Sequence, residues 1–135
     1  MKNKSKLQKI RQGARKETVP AEWLYMAPEG LELRKLYEIL DEQKAWTAEY
    51  WEEAEVLEIA VPEAGSLDME CMEPSAVDEH LEEYMGRLGM KTVYAVTILP
   101  EAYPQIRKVM EWIAERAGGI FCGDTDDFLP VIKGE

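Results

Sequence analysis

The stretch KTVYAVTIL, from Lys91 to Leu99, is apolar at both its odd- and its even-numbered positions. Successive side chains of a strand point to opposite faces of a sheet, so a strand with one wet face alternates between apolar and polar residues. A strand that is apolar on both sides is typical of the middle of a sheet, where helices or neighbouring strands cover it. The stretch therefore predicts a central strand.

A helix and a second strand are predicted after this stretch. Between Ala102 and Ala117, apolar residues recur at the spacing of one helix face. They are Tyr103, Ile106, Met110, Ile113 and Ala117. Gly118 and Gly119 end the helix, and the apolar run Ile120-Phe121-Cys122 begins the next strand. A strand, a crossover helix and a second strand in one sheet form a right-handed unit, which predicts that the two strands are parallel.

A hairpin and another helix are predicted before Lys91. VLEIAV (56–61) and LDMECM (67–72) alternate like half-buried strands, and PEAGS between them supplies turn residues. Pro74 is suited to the first turn of a helix, and Gly89 to its end. The inner face of this helix is formed by Val77, Leu81, Tyr84, Met85 and Leu88.

Residues 31–51 leave two interpretations open. Leu33, Leu36, Tyr37 and Leu40 follow a helical period, but Ile39, Trp46 and Tyr50 widen the apolar arc beyond one face. One interpretation is a single long helix buried on two sides. The other is a break near residues 43–46, after which AWTAEYW (45–51) forms an edge strand.

The predicted fold is a single α+β domain with a mixed sheet of four or five strands and helices packed on it. The predicted order of elements is helix, strand, strand, helix, strand, helix, strand. Residues 1–16 are interpreted as a basic N-terminal arm. Residues 17–30, with Pro20, Pro28 and Gly30, are interpreted as a connector that buries apolar side chains, and residues 31–135 as the acidic α+β domain.

Charge divides the chain into two unlike parts. Residues 1–16 hold seven Lys or Arg and no acid, so the remainder holds nine basic and 27 acidic side chains, a net charge of −18. This acidic body repels nucleic acids and anionic membranes, because neutralising phosphates requires clusters of Lys and Arg. The opposite charge of the arm favours a solvated or partly helical tail that rests against the acidic body, and weak contact with nucleic acid or lipid is the alternative.

Localisation is predicted to be cytoplasmic. No apolar run approaches the length of about 20 residues that spans a bilayer, which predicts no membrane partner. Cys71 and Cys122 lack metal-type spacing and are interpreted as reduced core cysteines.

The acidic stretch GDTDDF (123–128) has two interpretations. Asp124, Asp126 and Asp127 can supply carboxylate oxygens to a divalent cation, which gives the alternative function of a metal-dependent hydrolase. Asp and Thr side chains also bond to backbone N–H groups two residues further on, so the same residues are suited to a tight turn. The turn is favoured, because calcium-loop and phosphotransferase patterns need downstream ligands that the sequence lacks, and no cofactor is predicted.

Other catalytic arrangements receive little support. His80 is the single histidine, so any Ser–His or Cys–His system would depend on it. It is flanked by Glu79, Glu82 and Glu83, which favour the imidazolium form and make it a poor general base near neutral pH. Neither glycine-rich phosphate-loop pattern occurs.

The predicted function is therefore that of a small, acidic, non-enzymatic protein-binding domain. Trp112 is placed on the polar side of its helix, and Trp46 and Tyr50 on a second apolar face, so these three are predicted to bind a partner or a second copy. The predicted partner is a protein with a basic surface. The sharpest form of the hypothesis is an inhibitor or immunity-type protein for a basic nuclease or toxin, and mimicry of DNA is a further alternative.

Overall fold

The computed structural model describes residues 19–28 and 30–134. They form an α+β fold with one sheet of seven strands and three α-helices. The strands in chain order are β1 (Glu22–Ala27), β2 (Thr47–Trp51), β3 (Val56–Val61), β4 (Gly65–Cys71), β5 (Thr92–Ile98), β6 (Ile120–Gly123) and β7 (Val131–Lys133). The helices are α1 (Leu33–Leu40), α2 (Glu79–Leu88) and α3 (Tyr103–Ala117). Two short 3-10 turns, Pro74–Ala76 and Pro100–Ala102, precede α2 and α3.

The predicted α+β class is confirmed, but the strand number and order differ. The sheet order is β2-β3-β4-β5-β1-β6-β7, and every neighbouring pair is antiparallel. The sheet is therefore antiparallel and not mixed. The prediction that β5 and β6 run in the same direction holds, since both are antiparallel to β1. They do not touch as neighbours, because β1 lies between them.

β5 is the fourth of the seven strands, so the predicted central strand is confirmed, and the segment interpreted as a connector contains its neighbour β1. β1 pairs with β5 on one side and β6 on the other, and residues 23–27 are all buried. Its sequence, EWLYMA, is a continuous apolar run after the first residue, as expected for a strand covered on both faces. The basic arm, residues 1–16, lies outside the described residues.

Residues 31–51 form a helix, a break and an edge strand, as in the second of the two interpretations, and not a single long helix. α1 ends at Leu40, and β2 forms the edge of the sheet from Thr47 to Trp51. The side-chain amide of Gln43 supports the change of direction. Its Nε2 donates to the carbonyls of Leu40 and Trp46, at 2.8 and 2.9 Å, while its Oε1 accepts from the amide of Ala45 at 2.7 Å.

The predicted hairpin and the strand at Ile120–Gly123 are present, and α2 ends at Gly89 as predicted, but it begins at Glu79 and not at Pro74, because Pro74–Ala76 form a separate 3-10 turn. β3 and β4 pair across a short turn after Val61. The side chain of Asp78 caps α2 by accepting from the amide of Leu81 at 2.8 Å, and Gly89 ends the helix with a φ of 74°. β7 is a short closing strand after the turn that contains Pro130.

Two cores cover the two faces of the sheet. The larger core lies on the first face, where α1 and α3 pack on alternate residues of β1 to β6, including Trp23, Tyr25, Ile59 and Val96. The smaller core lies on the second face, where Leu81 and Met85 of α2 pack on the opposite residues of β1 and β6. These residues are Leu24, Met26, Ile120 and Cys122. Cys122 is thus a core residue as predicted, whereas Cys71 is exposed at the end of β4, where it lines an open cavity, so its assignment to the core was wrong.

No helix among the described residues is both long and apolar enough to cross a membrane.

A close backbone contact joins the end of α3 to β1. Gly118 has φ 87° and ψ −179°, a conformation that only glycine adopts readily. Its carbonyl accepts from the hydroxyl of Tyr25 at 2.6 Å. A Cβ on Gly119, which has a φ of 83°, would collide with the carbonyl oxygen of Met26.

We expect both glycines to resist substitution, but to different extents. Gly118→Ala meets only Pro28 at 4.0 Å, so it should lower the free energy of unfolding by about 1–3 kcal/mol through backbone strain alone. Gly119→Ala adds the collision with β1 and should lower it by more than about 4 kcal/mol. Chemical denaturation of both variants checks this. Equal losses would show that the contact with Met26 has no role.

Candidate functional site

The second face of the sheet is open to solvent over β2, β3 and β4. On β3 and β4 the buried residues alternate with half-buried or exposed ones, and the core under α2 is formed by β1 and β6 with Val93 of β5 and Val131 of β7. The outward positions include Glu49, Trp51, Glu58, Asp68 and Glu70. We call this open surface the acidic face.

Strand register places three carboxylates in one row across this face. Glu49 of β2 is directly opposite Glu58 of β3, and Glu58 is directly opposite Asp68 of β4. Residues directly opposite on antiparallel strands have Cβ atoms about 5 Å apart, and like charges at that separation destabilise the sheet. Repulsion within the row therefore lowers the stability of the folded state.

The row continues towards the middle of the sheet. Asp68 is opposite Thr97 of β5, and Thr97 is opposite Glu22 of β1. Beyond Glu22, the amide of Asp124 donates to the carbonyl of Glu22 at 3.0 Å. Five carboxylates thus follow one line across the sheet, interrupted by a single threonine.

The carboxylates of the row have no basic partner among residues 19–28 and 30–134. The two ion pairs in these ranges are Arg34–Glu52 at 3.3 Å and Arg107–Glu111 at 2.9 Å, both away from the row. In the same ranges the Oδ1 atom of Asp68 is buried and lacks a hydrogen-bond partner. The row therefore presents uncompensated negative charge.

The pKa values of two members reflect this environment. Burial raises the pKa of the Asp68 carboxyl; a hydrogen bond to Ser66 partly offsets this, and the charge of Glu70 raises the pKa further. Burial also raises the pKa of Asp124, and the charges of Glu22 and Asp78 add to it. A nearby cation would lower these pKa values again, because it favours the ionised form.

An exposed aromatic residue lies beside the acid row. Trp51, at the end of β2, leaves 53% of its surface exposed. It is opposite Val56, which is opposite Glu70 in the next strand, so this second row is adjacent to the acidic one. A large exposed aromatic ring beside charged groups is typical of a protein-binding surface.

Two of the predicted binding residues, Trp46 and Trp112, are brought together. Their rings meet edge to face, with centroids 5.6 Å apart, and the guanidinium of Arg116 lies 5.1 Å from the centre of the Trp112 ring. Both tryptophans are half-buried and pack against the larger core. This contact covers much of the surface that was predicted to bind a partner.

Tyr50, the third predicted binding residue, lies apart from this pair. Its ring stacks on Tyr37 with centroids 6.2 Å apart, and it lines an open cavity of about 510 Å³ together with Tyr94 and Cys71. The Cys71 thiol donates to Glu55 at 3.1 Å. Desolvation and the hydrogen bond to Glu55 raise the pKa of the Cys71 thiol to about 11, so at neutral pH it is not a nucleophilic thiolate.

The three aspartates of the acidic stretch have different surroundings. Asp127 belongs to the turn: its Oδ1 accepts from the hydroxyl of Thr125 at 3.0 Å and from the amide of Leu129 at 3.1 Å. The backbone carbonyl of Asp126 lies 3.0 Å from Nε2 of His80, whereas Asp124 extends the acid row. In the described ranges no three His, Cys, Asp or Glu side chains form a group that could hold a metal ion.

His80 takes part in packing the same turn. Its ring stacks on Phe128 with centroids 4.9 Å apart, and Phe128 stacks in turn on Tyr84 at 4.2 Å. The exposed edge of α2 is thereby attached to the turn between β6 and β7. This contact gives His80 a structural role.

Sequence reasoning missed the acid row and Trp51. The available signal was the acids among the outward positions of the alternating strands, Glu58 in VLEIAV and Asp68 and Glu70 in LDMECM. In AWTAEYW, the edge-strand interpretation places Trp46 and Tyr50 on one face and Glu49 and Trp51 on the other.

Compared with protein-family models, curated proteins and solved structures, the chain gives no match.

We expect Asp68→Asn to stabilise the protein at neutral pH. A carboxyl whose pKa is raised by folding binds its proton more tightly in the folded state, so its ionised form opposes folding above that pKa. The substitution should increase the free energy of unfolding at pH 7 by on the order of 0.5 kcal/mol. The gain should disappear as the pH falls through the pKa of the folded Asp68.

Urea denaturation at several pH values measures this difference. Glu83→Gln, on the exposed side of α2, removes one charge away from the row and is the matched control. A loss of stability in Asp68→Asn at pH 7 would show that its carboxylate is compensated.

Truncation to alanine should lower the stability of the protein at Trp46 but hardly change it at Trp51. Trp46→Ala removes a half-buried ring from the contact with Trp112 and should lower the free energy of unfolding by about 2 kcal/mol. Trp51→Ala removes an exposed ring and should change it by less than about 0.5 kcal/mol. Thermal denaturation compares the two, and a large loss in Trp51→Ala would identify Trp51 as a structural residue.

Proposed function

We propose that this protein is a small non-enzymatic binding domain whose acidic face receives the basic surface of another protein. The observation that supports this most directly is the row of carboxylates at Glu49, Glu58 and Asp68, in direct register and without a basic partner among the described residues. Folding alone offers no reason to align like charges in this way, since the alignment lowers stability. A cationic partner removes that cost when it binds.

Trp51 supplies an apolar anchor beside the charges. Interfaces gain much of their binding energy from a few aromatic or Arg residues, while surrounding charges steer the encounter and set its specificity. Trp51 is exposed at the margin of the acidic face, so its ring can be covered by a partner that contacts the row. Of the predicted binding residues, Tyr50 lines an open cavity near the same end of β2.

The partner that we propose is a protein with a basic site, and the sharpest form of the proposal is an inhibitor or immunity-type role against a basic nuclease or toxin. Nucleic acids and anionic membranes carry the same charge as the face and are repelled by it.

We place the interaction in the cytoplasm, in keeping with the two free cysteines. Self-association through the stripe of Trp46 and Tyr50 is not proposed, because that stripe packs on the protein's own core.

The alternative of a metal-dependent hydrolase at Asp124, Asp126 and Asp127 has no supporting observation in the described part of the chain. The side chain of Asp127 is used by the turn, and Asp124 belongs to the acid row. Titration calorimetry with magnesium, manganese and calcium tests the alternative directly.

The proposal is tested with two charge-matched variants used as bait in the native host. The face variant carries Glu49→Gln, Glu58→Gln and Asp68→Asn; the control variant carries Glu38→Gln, Glu83→Gln and Glu115→Gln, three exposed acids on the helices. We expect a basic protein that is retained by the wild type and the control variant and lost by the face variant. Partners retained equally by all three would overturn the proposal.

The purified partner then permits a measurement of affinity. At low salt, loss of three carboxylates from the interface should weaken binding about 10- to 100-fold, and the control variant should change it by less than about threefold. Trp51→Ala should weaken it further at high salt, where charge contributes less. Calorimetry at two ionic strengths gives both results.

A further inference from the structure

The acid row passes close to the point where the described chain begins, because Glu22 is one of its members. Trp23 Nε1 donates to the carbonyl of Pro20 at 2.8 Å, and the amide of Ile98 donates to the carbonyl of Ala21 at 2.9 Å. These bonds fix the chain at the sheet end that carries Glu22. The basic residues 1–16 therefore join the described structure within a few residues of Glu22, the fourth of the five carboxylates of the row.

The charges of the two elements are complementary. Residues 1–16 contain seven Lys or Arg and no acid. The row and its neighbour Glu70 supply six carboxylates, which make no ion pair with a Lys or Arg of residues 19–28 and 30–134. We propose that residues 1–16 of the same chain occupy the acidic face when no partner is bound, and that a basic partner must displace them. This inference rests on the proposed function, since both concern one face.

The available chain length is sufficient for this contact. From β1 to β2 the sheet order contains four steps of about 4.8 Å, or about 19 Å in total. A segment of 16 residues extends to roughly 50 Å at about 3.3 Å per residue. Val19 packs on the larger core, so the segment has to pass around the end of the sheet to reach the acidic face. Its attachment to the same chain still gives it an effective concentration there in the millimolar range, so weak charge contacts are enough to fill the face.

The consequence is a competition that sets the affinity for a partner. A partner that binds only when the face is free has an apparent affinity equal to its intrinsic affinity multiplied by the fraction of time that the face is free. If the segment occupies the face nine times in ten, the reduction is about tenfold. Salt weakens both contacts, since both are electrostatic and solvent-exposed.

A zero-length carbodiimide cross-linker tests the contact in the full chain, because it joins a Lys amine only to a carboxylate that touches it. We expect links from Lys2, Lys4, Lys6 and Lys9 to the acidic face, above all to Glu49, Glu58 and Asp68, and their loss in about 1 M salt. Mixing isotopically light and heavy chains distinguishes links within one chain from links between two. Links mainly to the acids of α2, or mainly between chains, would overturn the inference.

Binding of a fluorescein-labelled lysine-rich peptide tests the competition. The arm variant carries Lys2→Gln, Lys4→Gln, Lys6→Gln and Lys9→Gln in the full chain; the control carries the same change at Lys35, Lys44, Lys108 and Lys133, which are exposed. The arm variant should bind the peptide about tenfold more tightly than the wild type, and the control should not. Equal affinity of arm variant and wild type would overturn the inference.

The two proposals fail in different ways. If the face variant binds the lysine-rich peptide and the native-host partner as well as the wild type does, the proposed function fails, whatever the cross-links show. If those ligands require the acidic face but cross-links from residues 1–16 avoid it, the proposed function stands and the occupation by the arm is overturned.

Discussion

The whole sheet depends on the insertion of β1 between β5 and β6. These two strands run in the same direction and are joined by α3, and β1 fills the gap between them with antiparallel pairing on both sides. Its side chains are buried on both faces, so it belongs to both cores at once. Because its partners lie about 70 and 100 residues away in the chain, this pairing closes the longest loops in the fold, and the other elements are arranged around it.

The unequal covering of the two faces follows from this arrangement. α1 and α3 both pack on the first face and extend over most of the sheet. α2 alone lies on the second face, and it packs where β1 and β6 present apolar residues. The hairpin of β3 and β4, with the edge strand β2, therefore keeps its second face in water. Acids can occupy outward positions there without the cost of full burial, and the register of the hairpin aligns them.

The sequence predicted the elements whose patterns are local. The alternation in VLEIAV and LDMECM predicted β3 and β4, and the glycines at 89, 118 and 119 predicted the helix ends. β1 was not predicted, because Pro20, Pro28 and Gly30 marked its segment as a connector and its strand partners are distant in the chain. The acid row was not predicted for a related reason. Glu22, Glu49, Glu58 and Asp68 become neighbours only through register, which the periodicity of a single strand does not contain.

The position of Glu49 has a consequence for the behaviour of the protein at high concentration. β2 is the terminal strand of the described sheet, so its outer edge presents backbone N–H and C=O groups to which a strand of another molecule could add. Two copies of β2 that met antiparallel about their middle residue would place Glu49 directly opposite Glu49. Like charges so placed repel, and further repulsion would come from Glu58 in the adjoining strands. The same carboxylates therefore discourage the growth of one sheet into a fibre, and this protection weakens as soon as they are protonated.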